Sequence, residues 1–523
     1  VRAVAVVLLF SYLNPAHERA VGRLLSDALD CPVTLSCDVL PEFREYERTS
    51  TTVVCAALRP VVGDYLGRLE RGAARVGLPR RWQIMQSSGA VTSAGNAQEE
   101  PARILLSGPA GGVEGARAVG RLCGETNLIT MDMGGTSCDV ALVLDGRVGR
   151  TSAGDVGGYP VALRMTEIHT IGAGGGSIAW IDRGGALRVG PQSAGAQPGP
   201  ACYGRGGERA TITDAHLVLG HLLPDAPLGG LERLDEEAAR EAVAEIADRL
   251  GIGIEEAALG MLEVADAAME RAIRVISVER GHDPREFSLL AFGGAGPLHA
   301  VSIARRLSIP CVIVPAAAGV LSAFGLLAAE IGREGSRSLV RPISRVDLAE
   351  ANEIIGELRA SAGAALRAEG IDPGLIRHAV SVDLRYVGQS HEINLGILGE
   401  QLDGVALSGV LDAFHRTHEA RFGHAAPEED IELVTVRVRS IAPPEPLDLE
   451  RIDRGTCRAP RSAASWFDRK GPVPTQVIDR RRLTDGETFD GPAILLGDDA
   501  TLVVPPGARA RADCHGTLML EVS

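Results

Sequence analysis

Aromatic side chains are scarce in this chain, at 3% of 523 residues, so its interior must be packed chiefly from Ala, Val, Leu and Ile. Nine cysteines are scattered without a single CxxC pair, which argues against a disulfide framework or a structural zinc site and points to a reducing, cytoplasmic setting. There is no GxSxG elbow and no HExxH spacing, so neither a serine nucleophile nor a helix-borne zinc centre is expected. Lys and Arg total 53 against 68 Asp and Glu, a net charge of -15 with no run of either sign, which removes nucleic acid and anionic membrane from the expected partners. No segment is long enough to span a bilayer. The apolar residues 1–10 lack a small-residue cleavage site and are followed by Asn14-Pro15, a helix-opening pair for residues up to Leu29, so they read as a buried strand. With no initiating Met and a strand already under way, the chain is expected to begin inside a domain.

Glycine, in contrast, is abundant at 63 residues, and it falls in turns between apolar runs. The length implies two to four domains. Strand and helix patterns alternate in α/β fashion: a helix over 61–76 after the polar stretch 42–52, a strand over 82–85, and β-rich runs at 127–131 and 140–144, the second closed by the hairpin signal Asp145-Gly146. Long helices are expected over 236–250 and 255–280, and a short buried strand over 289–292. Past Arg341 the texture changes to a helix over 348–369, strands near 381–386 and 433–441, and a β-rich tail, which places a boundary there.

Two glycine turns carry the chemistry. In Met131-Asp132-Met133-Gly134-Gly135-Thr136-Ser137-Cys138-Asp139, a carboxylate at a strand end can hold Mg2+, while glycines let backbone N–H groups approach phosphate oxygens. An ordinary hairpin would share these residues. In Phe292-Gly293-Gly294-Ala295-Gly296-Pro297-Leu298-His299, the turn follows a strand and opens a helix, a geometry for an anion or a nucleotide, or simply for tight helix–strand packing. Between them, His169 and Gly174-Gly175-Gly176 could reach a cleft and meet a substrate or a developing oxyanion, or could be packed loop residues. Asp214 and His216 have ligand-like spacing without a third partner; a helix N-cap at Thr213 or Asp214 is the expected use. His415, His418 and His424 also lack a matching carboxylate, so no metal is expected there.

Together these segments resemble the hydantoinase A family, whose members include 5-oxoprolinases, N-methylhydantoinases, caprolactamase-like enzymes and ketone carboxylase subunits. The resemblance runs through Arg44-Glu45-Tyr46-Glu47-Arg48-Thr49, residues 85–89 and 106–112, the Asp132 segment, residues 165–177, Gly199-Pro200-Ala201-Cys202-Tyr203-Gly204-Arg205-Gly206-Gly207 and the Gly293 turn. It implies an actin/hexokinase-like (ASKHA) α/β ATPase fold, with residues 1–58 as the remainder of an N-terminal domain, 59–340 as the nucleotide core and 341–523 as an α+β, β-rich C-terminal domain. A first phosphate hairpin of the family's type is not found in the chain, so the fold is expected to be N-terminally incomplete and ATP binding by this chain weak.

The same resemblance implies ATP and Mg2+ (or Mn2+) as cofactors, a hydantoinase B-like partner subunit, and activation of a cyclic amide or other carbonyl before ring opening. Under it, Asp132 contacts the metal, and Gly134, Gly135, Thr136 and Ser137 contact phosphate. Gly293, Gly294 and Gly296 line the nucleotide pocket, Asp139 and His169 support catalysis, and Gly174, Gly175 and Gly176 meet the substrate. A ketone carboxylase subunit and a non-catalytic nucleotide-binding subunit are the rival expectations.

Overall fold

The apolar runs around the two glycine turns are buried on both faces, as strands covered from either side require. In the computed structural model they lie in the middle of a nine-stranded mixed sheet. Residues 1–78, 82–152, 154–226, 233–445 and 459–522 are described. They divide into two compact units that interleave along the chain. One takes residues 1–110, 150–166 and 328–445, and the other 111–149, 167–327 and 446–523.

The second unit holds the nine-stranded sheet. Along its main path the strands run His169–Ile171, Cys138–Leu144, Leu128–Met133, Ser288–Phe292, Cys311–Val314, Leu518–Val522, Ala508–Ala512 and Thr488–Asp490. Leu128–Met133, Ser288–Phe292 and Cys311–Val314 are parallel, and Asp132 is in register with Phe292 on one side and Asp139 on the other. The turns that follow Met133 and Phe292 therefore leave the sheet at the same edge, where ligands of open α/β sheets bind. The helix Ile254–Ile276 packs on the outer strands Cys138–Leu144 and His169–Ile171, and Gly296–Leu307 packs on Ser288–Phe292 and Cys311–Val314. The hairpin signal at Asp145-Gly146 is realised with positive φ at both residues, 50° and 70°, which turns the chain into Arg147–Val148.

The first unit is built on a six-stranded sheet whose long strands are Ile331–Pro342, Arg377–Tyr386 and Ile431–Ala442, with the helix Leu348–Ala368 packed on it. Arg341 falls inside the first of these strands, and this unit takes residues from both sides of it. Two expectations are corrected here. The first strand is confined to Val4–Val6, and Leu9 and Phe10 are exposed. The polar stretch 42–52 is largely helical: one helix runs over Glu45–Arg75, through Pro60, because Arg48, Thr51 and Thr52 are buried and paired within the fold. Arg48 donates to the Leu8 carbonyl at 2.8 Å and to Ser36 Oγ at 2.9 Å, and pairs with Glu45.

Candidate functional site

The Leu128–Met133 and Cys138–Leu144 strands are joined by a four-residue turn closed by the Gly134 N–H donating to the Ser137 carbonyl at 3.1 Å. Gly135 and Thr136 are exposed at its tip, and their amides donate to nothing among the described residues. Directly behind the turn, Asp132 and Asp139 are cross-strand partners, so their side chains share one face of the sheet. Burial, reinforced by the like charge of Asp139, pushes the Asp132 carboxyl up to about 6. Burial pushes Asp139 up as well, opposed by the Thr170 hydroxyl, which donates to Asp139 Oδ1 at 2.5 Å. Among the described residues neither carboxylate has an ion-pair partner.

Two further glycine turns converge on this point. Gly293 has a φ of +79°, and a Cβ there would collide with Asp132 Oδ1 and the Met133 carbonyl, so glycine alone allows the approach. Its N–H donates to the Ala318 carbonyl at 2.9 Å, while the Ala295 N–H donates to the Met133 carbonyl at 2.9 Å. The Gly294 amide is left without a partner among the described residues. Gly296 opens the helix Gly296–Leu307. Beside Ala318 lies a cavity of about 300 Å³ lined by Ala317, Val320, Arg480, Asp499 and Cys514 among others.

The third turn corrects an expectation. Gly174, Gly175 and Gly176 are buried against the hairpin tip, and a Cβ on Gly174 would lie 2.5 Å from the Thr136 nitrogen. All three amides are committed within the fold: Gly174 to Ser177 Oγ at 2.8 Å, Gly175 to the Gly134 carbonyl at 3.0 Å and Gly176 to the Gly135 carbonyl at 2.7 Å. They cannot donate to an oxyanion without breaking these bonds. The loop instead buttresses the Gly134–Thr136 backbone.

His169 does not join the carboxylates. It pairs with Val140, which pairs with Met131, and these positions face the opposite side of the sheet from Asp132, Asp139 and Thr170. The residue that reaches Asp139 is its neighbour Thr170, which the sequence reading passed over. A second correction concerns the helix Ile212–Val218: its N-cap is Thr211, and Asp214 closes the capping box at the third position while accepting from the Cys202 amide at 2.8 Å.

The C-terminal histidines have protein partners: His415 with the Tyr386 hydroxyl at 2.7 Å and His418 with the His424 carbonyl at 2.7 Å. Among the described residues no group of three His, Cys, Asp or Glu is placed to hold a metal ion. Burial pushes the thiols of Cys138 and Cys202, both next to the site segments, above their ordinary range, which makes them poor nucleophiles. No helix among the described residues is long and apolar enough to cross a membrane.

A family model described as hydantoinase/oxoprolinase matches residues 48–334, more than half of the chain, and its C-terminal domain model matches residues 345–522. The chain belongs to the hydantoinase/oxoprolinase family. Within this family it is 36% identical to the caprolactamase subunit alpha of Pseudomonas jessenii, over 99% of the chain and 76% of the relative. The crystal structure described as the ATP-dependent caprolactamase of that organism superposes with a TM-score of 0.88 at 35% identity, covering all of this chain and 77% of the other. A nucleotide-free acetone carboxylase structure superposes with a TM-score of 0.76 at 28% identity, covering 99% of this chain and 76% of that one. The chain is 32% identical to 5-oxoprolinase 1 of Arabidopsis thaliana over its whole length, which spans 42% of that longer relative. The mixed α/β fold is thus the one that hydantoinase/oxoprolinase relatives named for ATP-dependent cyclic-amide cleavage and for ketone carboxylation share.

Proposed function

We propose that this chain is the ATP-using subunit of a cyclic amidase, in which an amide carbonyl is activated by phosphoryl transfer before ring-opening hydrolysis. The observation that carries this reading is that the amides of Gly135, Thr136 and Gly294, unpartnered among the described residues, lie on turns that adjoin a half-buried carboxylate pair, itself without a cationic partner among the described residues. Free amides suit phosphate oxygens, and two unneutralised carboxylates suit a hard divalent cation. The donor set therefore fits Mg2+ or Mn2+, with Asp132 as its direct or water-mediated contact and Asp139 behind it, and the bound ion would neutralise phosphate charge.

In this reading the hairpin is the second phosphate-binding turn of an actin-like fold. Gly134, Gly135, Thr136 and Ser137 receive the phosphates, and Gly293, Gly294 and Gly296 bound the nucleoside side, with the cavity beside Ala318 offering room for it. Thr170 fixes the orientation of Asp139. The γ-phosphoryl group would pass to the substrate carbonyl oxygen with ADP leaving; a first water would add to the activated carbon and the ring C–N bond would break, the nitrogen leaving as a protonated amine and the carbon remaining as an acyl phosphate, which a second water would hydrolyse to carboxylate and phosphate; positioning and charge neutralisation are the protein's contribution. The greater likeness to caprolactamase than to acetone carboxylase favours hydrolysis over carboxylation. Because relatives carry subunit names, a hydantoinase B-like partner is assigned to the ring-opening step.

The test is Asp132→Asn in the intact protein with its partner. Lactam-dependent ATP turnover should fall by on the order of a hundred-fold with the circular dichroism spectrum unchanged. Wild-type turnover would remove Asp132 from the site, and a product that forms only with bicarbonate would make the enzyme a carboxylase.

A further inference from the structure

Outside the turns themselves, the second unit contains a buried polar chain that the proposed chemistry does not use. Asp266 lies on the helix Ile254–Ile276, His299 in the first turn of Gly296–Leu307, His216 on Ile212–Val218 and His221 just beyond it; all four are buried. Asp266 Oδ1 meets His299 Nδ1 at 2.6 Å, His299 Nε2 meets His216 Nε2 at 3.1 Å, His216 Nδ1 meets His221 Nδ1 at 3.1 Å, and His221 Nε2 meets the Trp466 carbonyl at 2.8 Å. A carboxylate stands at one end and a peptide carbonyl at the other, and both only accept. Four hydrogen bonds need four protons, whereas three neutral imidazoles carry three. The chain therefore holds one proton more than its neutral rings supply, balanced by the Asp266 charge. Burial pushes His216 well below the ordinary histidine range and His221 down to about 4.

This chain completes a ring around the Asp132 hairpin. The Gly134 carbonyl accepts from Gly175, whose own carbonyl accepts from the Thr213 amide at 2.8 Å and its hydroxyl at 2.9 Å. Thr213 and His216 are one turn apart on the same helix; His216 bonds His299; and the helix of His299 begins at the turn that bonds Met133. We propose that His216 and His299 are positioning residues for the Asp132 site, and that the single extra proton of the Asp266–His299–His216–His221 chain keeps the two glycine turns clamped on the hairpin. The positioning rests on the nucleotide reading above; the proton count does not.

The groups facing the chain are its own members: Asp266, His299, His216 and His221, with the Trp466 carbonyl and the Phe467 ring at the far end. Among the other charges on the packed helices, Glu255 pairs with Arg240, Glu256 and Glu263 with Arg469, and Glu270 with Arg274 and Arg306, while Arg305 donates to the Pro506 carbonyl, Asp214 accepts from the amides of Ala201 and Cys202, and Arg271 is exposed.

The decisive variant is Asp266→Asn. Its carboxamide can donate N–H to His299 Nδ1 and still accept from Ser302 Oγ, which now donates to Asp266 Oδ2 at 2.5 Å. All the bonds survive, with no proton in excess. Mg-ATP affinity and the nucleotide-free melting temperature would be followed from neutral to alkaline pH in the intact protein. In the wild type the folded state holds a proton that unfolded histidines release above about pH 6.5, so stability should fall as pH rises and Mg-ATP affinity should fall with it. Asp266→Asn should match the wild type near neutrality and lose that alkaline slope. His216→Leu should weaken Mg-ATP binding by about ten-fold at every pH. Equal alkaline slopes in wild type and Asp266→Asn overturn the proton count, and unchanged affinity in a folded His216→Leu overturns the positioning. If Asp132→Asn also leaves Mg-ATP affinity untouched, the nucleotide reading itself is what failed, and His216 has nothing to position.

Discussion

Each unit of this protein holds a pair of carboxylates away from bulk water, buried in the first unit and half-buried in the second, and the two pairs are treated in opposite ways. In the first unit Glu42 and Asp383 close on Arg437, whose Nη1 and Nη2 reach Glu42 at 2.6 and 2.8 Å and whose Nε reaches Asp383 at 2.7 Å. Ser336 and Asn394 satisfy remaining oxygen positions at 2.6 and 2.7 Å, and the two carboxylates hold the guanidinium more firmly protonated than usual. That cluster is self-sufficient. In the second unit, among the described residues, Asp132 and Asp139 receive only the Thr170 hydroxyl, and Asp132 is pushed toward its neutral form. A buried acid pair with its own cation is architecture; a half-buried pair without one is a place prepared for a cation from outside.

The comparison can be broken most sharply at Arg437. Arg437→Met strands two buried carboxylates and should cost about 3–5 kcal/mol of unfolding free energy in urea; a loss under about 1 kcal/mol would mean that the cluster is solvated and not structural. The opposite sign is expected at Asp132. Its folded-state value of about 6 lies above the unfolded value near 3.9, so the folded protein binds more protons in between, and stability is lost as pH rises from about 4 to 6. Asp132→Asn should therefore raise the stability of the nucleotide-free protein at pH 7 by about 1–2 kcal/mol and abolish any Mg2+-dependent rise in melting temperature. A destabilised variant, or one that still responds to Mg2+, would put the cation elsewhere. The smallest effect is expected next door. Thr170→Val removes the hydroxyl bond to Asp139 and should cost about 1 kcal/mol with a few-fold loss of Mg2+ affinity, while His169→Ala should leave that affinity unchanged. Reversal of the pair would place His169 on the carboxylate face after all.

Much of this was legible in the sequence where the determinants are local. The helix Glu236–Leu250 begins and ends where its 3.6-residue pattern does, with Asp235 capping it and Gly251 closing it in the left-handed conformation. The first glycine turn emerged between the two strands that its flanking apolar runs define, and the second between the strand Ser288–Phe292 and the helix Gly296–Leu307. What escaped was set by distant partners. The register that puts Thr170 beside Asp139 and turns His169 away is a property of pairing, and strict alternation along residues 169–171 was the available signal once the strand was drawn against 138–140. Helix over 45–52 was hidden because its buried face is polar: Arg48 depends on Ser36, Leu8 and Glu45 for satisfaction, and the Thr51 and Thr52 hydroxyls donate to the Glu47 and Arg48 carbonyls of their own helix. The histidine chain joins residues 83 positions apart, which no local pattern displays.

The sheet that carries Asp132 also has an unusual relation to protein synthesis. Its strand Cys311–Val314 is hydrogen-bonded on one side to Ser288–Phe292 and on the other to Leu518–Val522, made roughly 200 residues later. At ribosomal rates of about 5–20 residues per second the far side of that strand stays uncovered for about 10–40 s after it emerges. During that interval it presents an apolar, unpaired edge of the kind that recruits foreign strands. Nascent chains paused in this window are thus the form of the protein most in need of a chaperone, and heterologous yield should respond to translation speed between residues 314 and 518 more than to conditions after release.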